Sequence, residues 1–150
     1  MSKSLFFPFR LPLLIPSAAI AIGMSALSAK AETQLYNPIP MPATNEVTDT
    51  LSEKDIPTGV GGFSRDYVVN LKDGDQIVLD LASDQFDALV TLIGPDGATV
   101  GENDDGPDGT TNSLLFTRIT RPGNYIVRVA PYAGQGLGGF TLKVTRLRPV

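Results

Sequence analysis

The densest chemistry in this sequence lies between Glu102 and Gly109, where Glu102, Asn103, Asp104, Asp105 and Asp108 place five hard oxygen donors in seven positions. Asp84 and Asp87 arrive just ahead of the apolar run that precedes this loop. Calcium takes about six to eight oxygen ligands, and carboxylates close enough to share it would otherwise repel one another. Calcium is therefore the cofactor such a loop could hold, with Asp87, Asp104 and Asp105 as leading ligands and Asp84, Asn103 and Asp108 as further donors. The spacing is not that of an EF-hand, because Pro107 falls where the third ligand of a loop starting at Asn103 would stand and no glutamate closes it. A second reading stands beside the first: Asp and Asn are good turn formers whose side chains cap their own backbone.

Other reactive arrangements are scarce. The chain has no histidine and no cysteine, which excludes a Ser-His-Asp triad, a cysteine nucleophile and the usual zinc sites together. Ser52 and Lys54 lie close in sequence, but such pairs are ordinary surface. The acidic loop offers carboxylates, yet nothing supplies the aromatic-walled cleft that a glycosidase would use. The expectation is a protein without catalytic activity. Binding is better served. With no tryptophan, Tyr132 in the stretch PYAGQGLGG is the best ring for stacking on a sugar; the alternative is that it covers one end of the core with its hydroxyl in water. That glycine-rich stretch joins two strand patterns and is followed by no helix, so it is no phosphate cradle.

The elements that must position these residues follow from periodicity. Tyr67, Val69 and Leu71 alternate with Val68 and Asn70, and after Lys72-Asp73-Gly74-Asp75 a second alternation runs through Ile77, Leu79 and Leu81. Two period-2 runs around a D-G turn read as an antiparallel hairpin with one wet face. Ala88 to Ile93 is apolar on both faces, and Gly94-Pro95-Asp96-Gly97 turns the chain into a return strand. Ser113–Ile119, Tyr125–Ala130 and Phe140–Thr145 are further strands, and Glu46–Leu51 is a first edge strand. From Glu32 to Asn45 the chain is rich in proline and polar residues, which predicts a flexible lead, and 147–150 read as a frayed tail. Seven or eight short strands with no helical period predict an all-β fold, a single antiparallel β-sandwich over 46–146.

Composition sets the compartment and the partners. Residues 1–31 hold Lys3, Arg10 and Lys30, no acidic residue, and an apolar run that ends at Ala29-Lys30-Ala31. A basic start, an apolar centre and small residues at a cleavage site read as a signal peptide. The chain is expected to be exported to the periplasm, cell envelope or medium, with no stable membrane span after cleavage. Removing those three cations takes the formal charge from −4 to −7. Between Asp73 and Asp108 there are ten acidic residues and no basic one, whereas 109–150 holds six basic residues and no acidic one. The overall acidity and the interleaving of basic with apolar residues exclude nucleic acid as a partner. An extracellular or envelope protein or polysaccharide is expected instead.

Phe86, Asp87 and Val90, then Pro95-Asp96-Gly97, then Asn103-Asp104-Asp105-Gly106 resemble the pattern of the bacterial pre-peptidase C-terminal domain. The resemblance covers about Glu46 to Thr145. It implies a jelly-roll type of sandwich and an accessory, non-catalytic role beside secreted proteases, in secretion, substrate attachment or folding. A free-standing copy of such a domain is expected to meet its partner in trans. Members in bacterial collagenases bind calcium partly through an acidic N-terminal linker, to which Glu46, Asp49, Glu53 and Asp55 correspond by position only. The family register sends Leu115, Thr117 and Ile119 inward, which leaves Leu114 and Phe116 on the opposite face. Either the register is reversed and both are buried, which is the simpler reading, or a small apolar patch is exposed and marks a partner surface. Cleavage after Ala31 predicts that N-terminal sequencing of the exported protein begins at Glu32; a start at Met1 would mean an uncleaved anchor.

Overall fold

Residues 36–147 are described by a computed structural model. Ten strands form two sheets: β1 Ile39–Pro40, β2 Glu46–Leu51, β3 Ile56–Pro57, β4 Phe63–Leu71, β5 Gln76–Ala82, β6 Ala88–Ile93, β7 Thr99–Asn103, β8 Ser113–Arg118, β9 Gly123–Pro131 and β10 Gly138–Leu147. One sheet runs β1-β4-β9-β6-β7, with β3 also on β4, and the other runs β2-β10-β5-β8. The all-β sandwich expected from the alternation is present. Eight of its strands exceed two residues, and β1 and β3 are dipeptide bridges that periodicity could not register. The only non-strand element among the described residues is a 3-10 turn at Tyr132–Gly134. Every pairing is antiparallel except β1 with β4, which is parallel and corrects the wholly antiparallel expectation.

The side chains that alternation assigned to the interior are there. Tyr67 and Leu71 on β4, Ile77, Leu79 and Leu81 on β5, Val127 and Val129 on β9 and Leu142 on β10 are fully buried between the sheets. Each such aliphatic side chain stabilises the fold by about 1.5–3 kcal/mol through burial. Tyr67 meets Phe140 edge to face, with ring centroids 6.3 Å apart and planes at 73°.

The hairpin expected from β4 and β5 does not form. The two strands lie in different sheets, β4 against β9 and β5 against β10 and β8. The turn between them is real, because Asp75 N–H donates to Lys72 O and the Asp75 carboxylate accepts from Lys72 N–H at 2.9 Å. Its remaining groups, however, serve the residue after β8: Gly74 N–H donates to Ile119 O and Ile119 N–H to Asp75 O. The turn is thus an arch from one sheet to the other. An arch and a hairpin keep the same period of two, so alternation alone cannot separate them.

The flexible lead is also corrected over its described part. β1 docks on β4, Met41 N–H donates to Val68 O, and Val144 N–H donates to Asn45 O. The Tyr36 hydroxyl donates to the Asp66 carboxylate at 2.5 Å. Burial and that anion push the Tyr36 hydroxyl up to about 12. At the other end β10 continues through Arg146 and Leu147, which pair with Ile77 and Gln76, so the frayed tail does not begin at 147. The signal-peptide reading over 1–31 and residues 32–35 and 148–150 lie outside the described residues.

Ion pairs join strands that are distant in the sequence. Arg65 on β4 bonds Asp49 at 2.5 Å and Asp55 at 2.7 Å, and the Tyr67 hydroxyl donates to Asp49 at 2.8 Å, which ties the two sheets together. Burial raises the Asp49 carboxyl, but its bonds from Tyr67, Thr50 N–H and Arg65 outweigh that and hold it below the usual carboxylate range. On the outer face Asp66, 2% exposed, accepts two bonds from Arg128, each 2.8 Å. Arg128→Ala leaves that buried carboxylate with the Tyr36 hydroxyl but no cation and should cost about 3 kcal/mol, the low end for a broken buried pair because the guanidinium is partly open to water. Chemical denaturation measures this; an unchanged midpoint would show that water replaces the guanidinium at no cost.

Candidate binding surface

The acidic loop spends its donors on itself. Asn103 Nδ2 donates to Asp105 O at 2.7 Å and to Leu114 O at 2.8 Å, and its Oδ1 accepts from Asp105 N–H at 3.3 Å. Asp108 Oδ1 accepts from the Thr110 hydroxyl at 2.8 Å and from Thr110 N–H at 3.2 Å, and these bonds hold it below the usual carboxylate range. Leu114 N–H reaches Asp105 O, and the Ser113 hydroxyl donates to Asn103 O, so the loop is stitched to the start of β8. Asp84 and Asp87 are exposed on the β5–β6 loop, where the backbone of Asp87 holds Tyr132 N–H. Among the described residues no three Asp or Glu side chains come together in a group able to hold a metal ion. Asn103 has both ends of its amide engaged within the loop and with Leu114. For Asn103 and Asp108 the backbone-capping reading is the one the geometry realises.

Leu114 and Phe116 are where the family register sends them. Ser113 and Ile119 are buried, Leu115 and Thr117 are half-buried, and Phe116 is 57% exposed on the outer face with Leu114 half-buried beside it. The simpler expectation, that both would be buried, is overturned for Phe116. The reason is the pairing of β8 with β5: Leu79 opposes Leu115 and Val78 opposes Phe116, so burial of the β5 core fixes which face Phe116 takes. Val78, half-buried, extends the patch onto the neighbouring strand.

Tyr132 is 50% exposed in the 3-10 turn. The glycines around it serve close packing of loops. Gly134 has φ +70°, and a Cβ there would sit 2.4 Å from Gly61 O, so two backbones touch where no side chain fits. At Gly138, φ +139°, a Cβ would collide with the Gln85 amide, whose Oε1 accepts from Gly139 N–H at 2.7 Å.

A further feature escaped the sequence. The outer face of the four-stranded sheet carries a depression of about 300 Å³ lined by Thr48, Ala82, Ser83, Asp84, Gln85, Gly139, Phe140 and Thr141. It exists because Gly139 occupies an outward position of β10, between inward Phe140 and its neighbours, and leaves the face without a side chain there. A glycine in the outward phase of Gly-Phe-Thr-Leu-Lys was the available signal. No helix among the described residues is long and apolar enough to cross a membrane.

Residues 63–131, from β4 to the end of β9, match the family model of the bacterial pre-peptidase C-terminal domain. No curated protein matches the sequence. Among solved structures the fold is similar to the pre-peptidase C-terminal domain of a collagenase from Bacillus anthracis, with a TM-score of 0.55 and 13% identity over 73% of this chain and 95% of that one. It is also similar to a periplasmic inhibitor of g-type lysozyme from Aeromonas hydrophila, at TM-score 0.51 and 16% identity over 74% and 96%. The corresponding inhibitor from Salmonella Typhimurium gives 0.50 and 12% over 75% and 100%. At these identities the likeness is one of fold. The capping geometry predicts that Asn103→Ala lowers stability by about 1–2 kcal/mol by stripping two carbonyls of their donor. Asp104→Asn with Asp105→Asn should stay within about 0.5 kcal/mol of the parent in chelator. Denaturant midpoints measured with calcium and with chelator decide; a calcium-dependent rise lost in the double variant would restore the metal reading.

Proposed function

We propose that this chain, a bacterial pre-peptidase C-terminal domain over residues 63–131, is an exported, non-catalytic accessory module that holds another protein on the outer face of its four-stranded sheet. The observation that carries the reading is Phe116, a large aromatic side chain 57% exposed on an edge strand, with Leu114 and Val78 beside it. Isolated exposed apolar residues are normal, but an aromatic ring with aliphatic neighbours on one flat face is the composition of a binding hot spot. The sequence has no histidine or cysteine to support the commoner hydrolytic mechanisms, which favours binding over catalysis. Export is supported by the basic and then apolar N-terminal stretch ending in Ala29-Lys30-Ala31.

Calcium is not part of the proposal. A polysaccharide ligand stacking on Tyr132 is the alternative, and the two readings separate by mutation. A wall-lytic enzyme of the g-type lysozyme class is the first partner to assay, because two proteins of similar fold are inhibitors of that enzyme. Phe116→Asp should weaken binding of the purified protein to its partner at least about tenfold, the loss expected of a hot-spot residue, while Tyr132→Ala leaves it unchanged. Retained binding in Phe116→Asp with loss in Tyr132→Ala would overturn the protein-contact reading in favour of sugar stacking.

A further inference from the structure

The depression around Gly139 is built from three adjacent strands and one loop. Thr141 of β10 pairs with Thr48 of β2 on one side and with Ala82 of β5 on the other, so these three stand in one row across the outer face. The β5–β6 loop raises Asp84 and Gln85 as a wall above that row. It is held by Ser83, whose buried hydroxyl donates to Gly139 O at 2.8 Å and accepts from Gln85 N–H at 3.1 Å. The row lies four residues along the strands from Val78 and Phe116, roughly 13 Å away, and two residues from Leu114, which opposes Asp80, so the depression borders the apolar patch at Leu114 but is clear of its aromatic centre.

The polar groups round this hollow have matching spare capacity. Gln85 is fixed through its Oε1, which accepts from Gly139 N–H, and its Nε2 keeps two donors free. The Thr48 and Thr141 hydroxyls share one bond at 3.3 Å, so each retains capacity to bond a further group. Asp84 accepts no hydrogen bond and pairs with no cation among the described residues. Amide donors, hydroxyls that both give and take, and one carboxylate acceptor form the complement of neighbouring hydroxyls on a ring, each of which must donate as well as accept. Ala82, in an outward position of β5, supplies a small apolar surface for the C–H face of such a ring, while the Phe140 ring is turned into the core. A volume of about 300 Å³ is at the small end for a ligand site and suits one or two sugar rings. The next row carries Glu46, Lys143 and Asp80, two anions to one cation, which together with Asp84 disfavours uronates and phosphates.

We infer that this hollow is a binding subsite for a neutral hexopyranose unit of a glycan, with Asp84 and Gln85 as the orienting residues and Thr48 and Thr141 as hydroxyl partners. It does not depend on the Phe116 contact, and the two can fail separately. The test is a titration of the 15N-labelled protein, followed by NMR, with glucose, galactose, mannose, cellobiose and lactose, and separately with calcium chloride. At least one sugar should move the Gln85 side-chain amide and the backbone signals of Asp84, Gly139 and Thr141 saturably, with a dissociation constant on the order of millimolar. Gly139→Leu fills the hollow where a Cβ meets nothing closer than 4.0 Å and the backbone is not left-handed, so it should fold normally and weaken that binding at least tenfold. Asp84→Asn should weaken it severalfold, whereas Phe116→Asp should leave it unchanged. The inference is overturned if no sugar moves these signals, if sugar shifts centre on Tyr132, if Gly139→Leu folds and binds as before, or if Asp84 responds to calcium alone.

Discussion

Strand parity is the constraint on which everything else in this protein depends. Successive side chains of a strand face opposite ways, so once Ile77, Leu79 and Leu81 are buried against the other sheet, the faces of β8 and β10 are fixed through their pairing with β5. Leu115 follows Leu79 inward, and Leu114 and Phe116 take the outer face. The same rule turns Leu142 inward and sets Gly139, Thr141 and Lys143 outside. An apolar patch and a polar hollow on one sheet are therefore consequences of a single register.

Parity also governs the backbone at the edge of β8. Ile119 N–H and C=O point towards the β5 side, where they meet Asp75 and Gly74, while the groups of Leu114 point the other way, to Asp105 and Asn103. Even-numbered residues of β8 thus face the open edge, and the acidic loop covers its first turn of backbone. Arg118, further along, puts a charge on what remains. A covered start and a charged end are how an edge strand is kept from pairing indiscriminately with other chains. The Asp-rich loop has a structural job here, in covering the start of that edge.

The ion pairs follow the same economy of placement. Arg65 lies at one end of the sandwich interior, where aliphatic side chains give out, and joins Asp49 and Asp55 while Tyr67 adds its hydroxyl. Arg128 and Asp66 are neighbours on β9 and β4, and the Tyr36 hydroxyl bonds the same carboxylate. Arg121 meets Asp96 at 2.5 Å, joining two turns at the same end of one sheet. An acidic stretch of sequence and a basic one are interleaved in space because antiparallel strands from the two stretches alternate in the sheets.

The sequence by itself determined the alternation, and with it the core: Tyr67, Val69 and Leu71, Ile77, Leu79 and Leu81, Phe140, Leu142 and Val144 are buried as their period requires, because burial of one face is a local property of a strand. The Asn103 and Asp108 caps were open to it as well, since a short polar side chain bonds its own backbone within a few residues. Only the tertiary structure decided that Lys72–Asp75 is an arch rather than a hairpin, that the proline-rich lead docks on β4, that Phe116 stays in water, and that Gly139 leaves a hollow walled by Asp84 and Gln85. Those outcomes depend on which strand lies beside which across long stretches of chain, and a period of two is the same for every partner a strand could have.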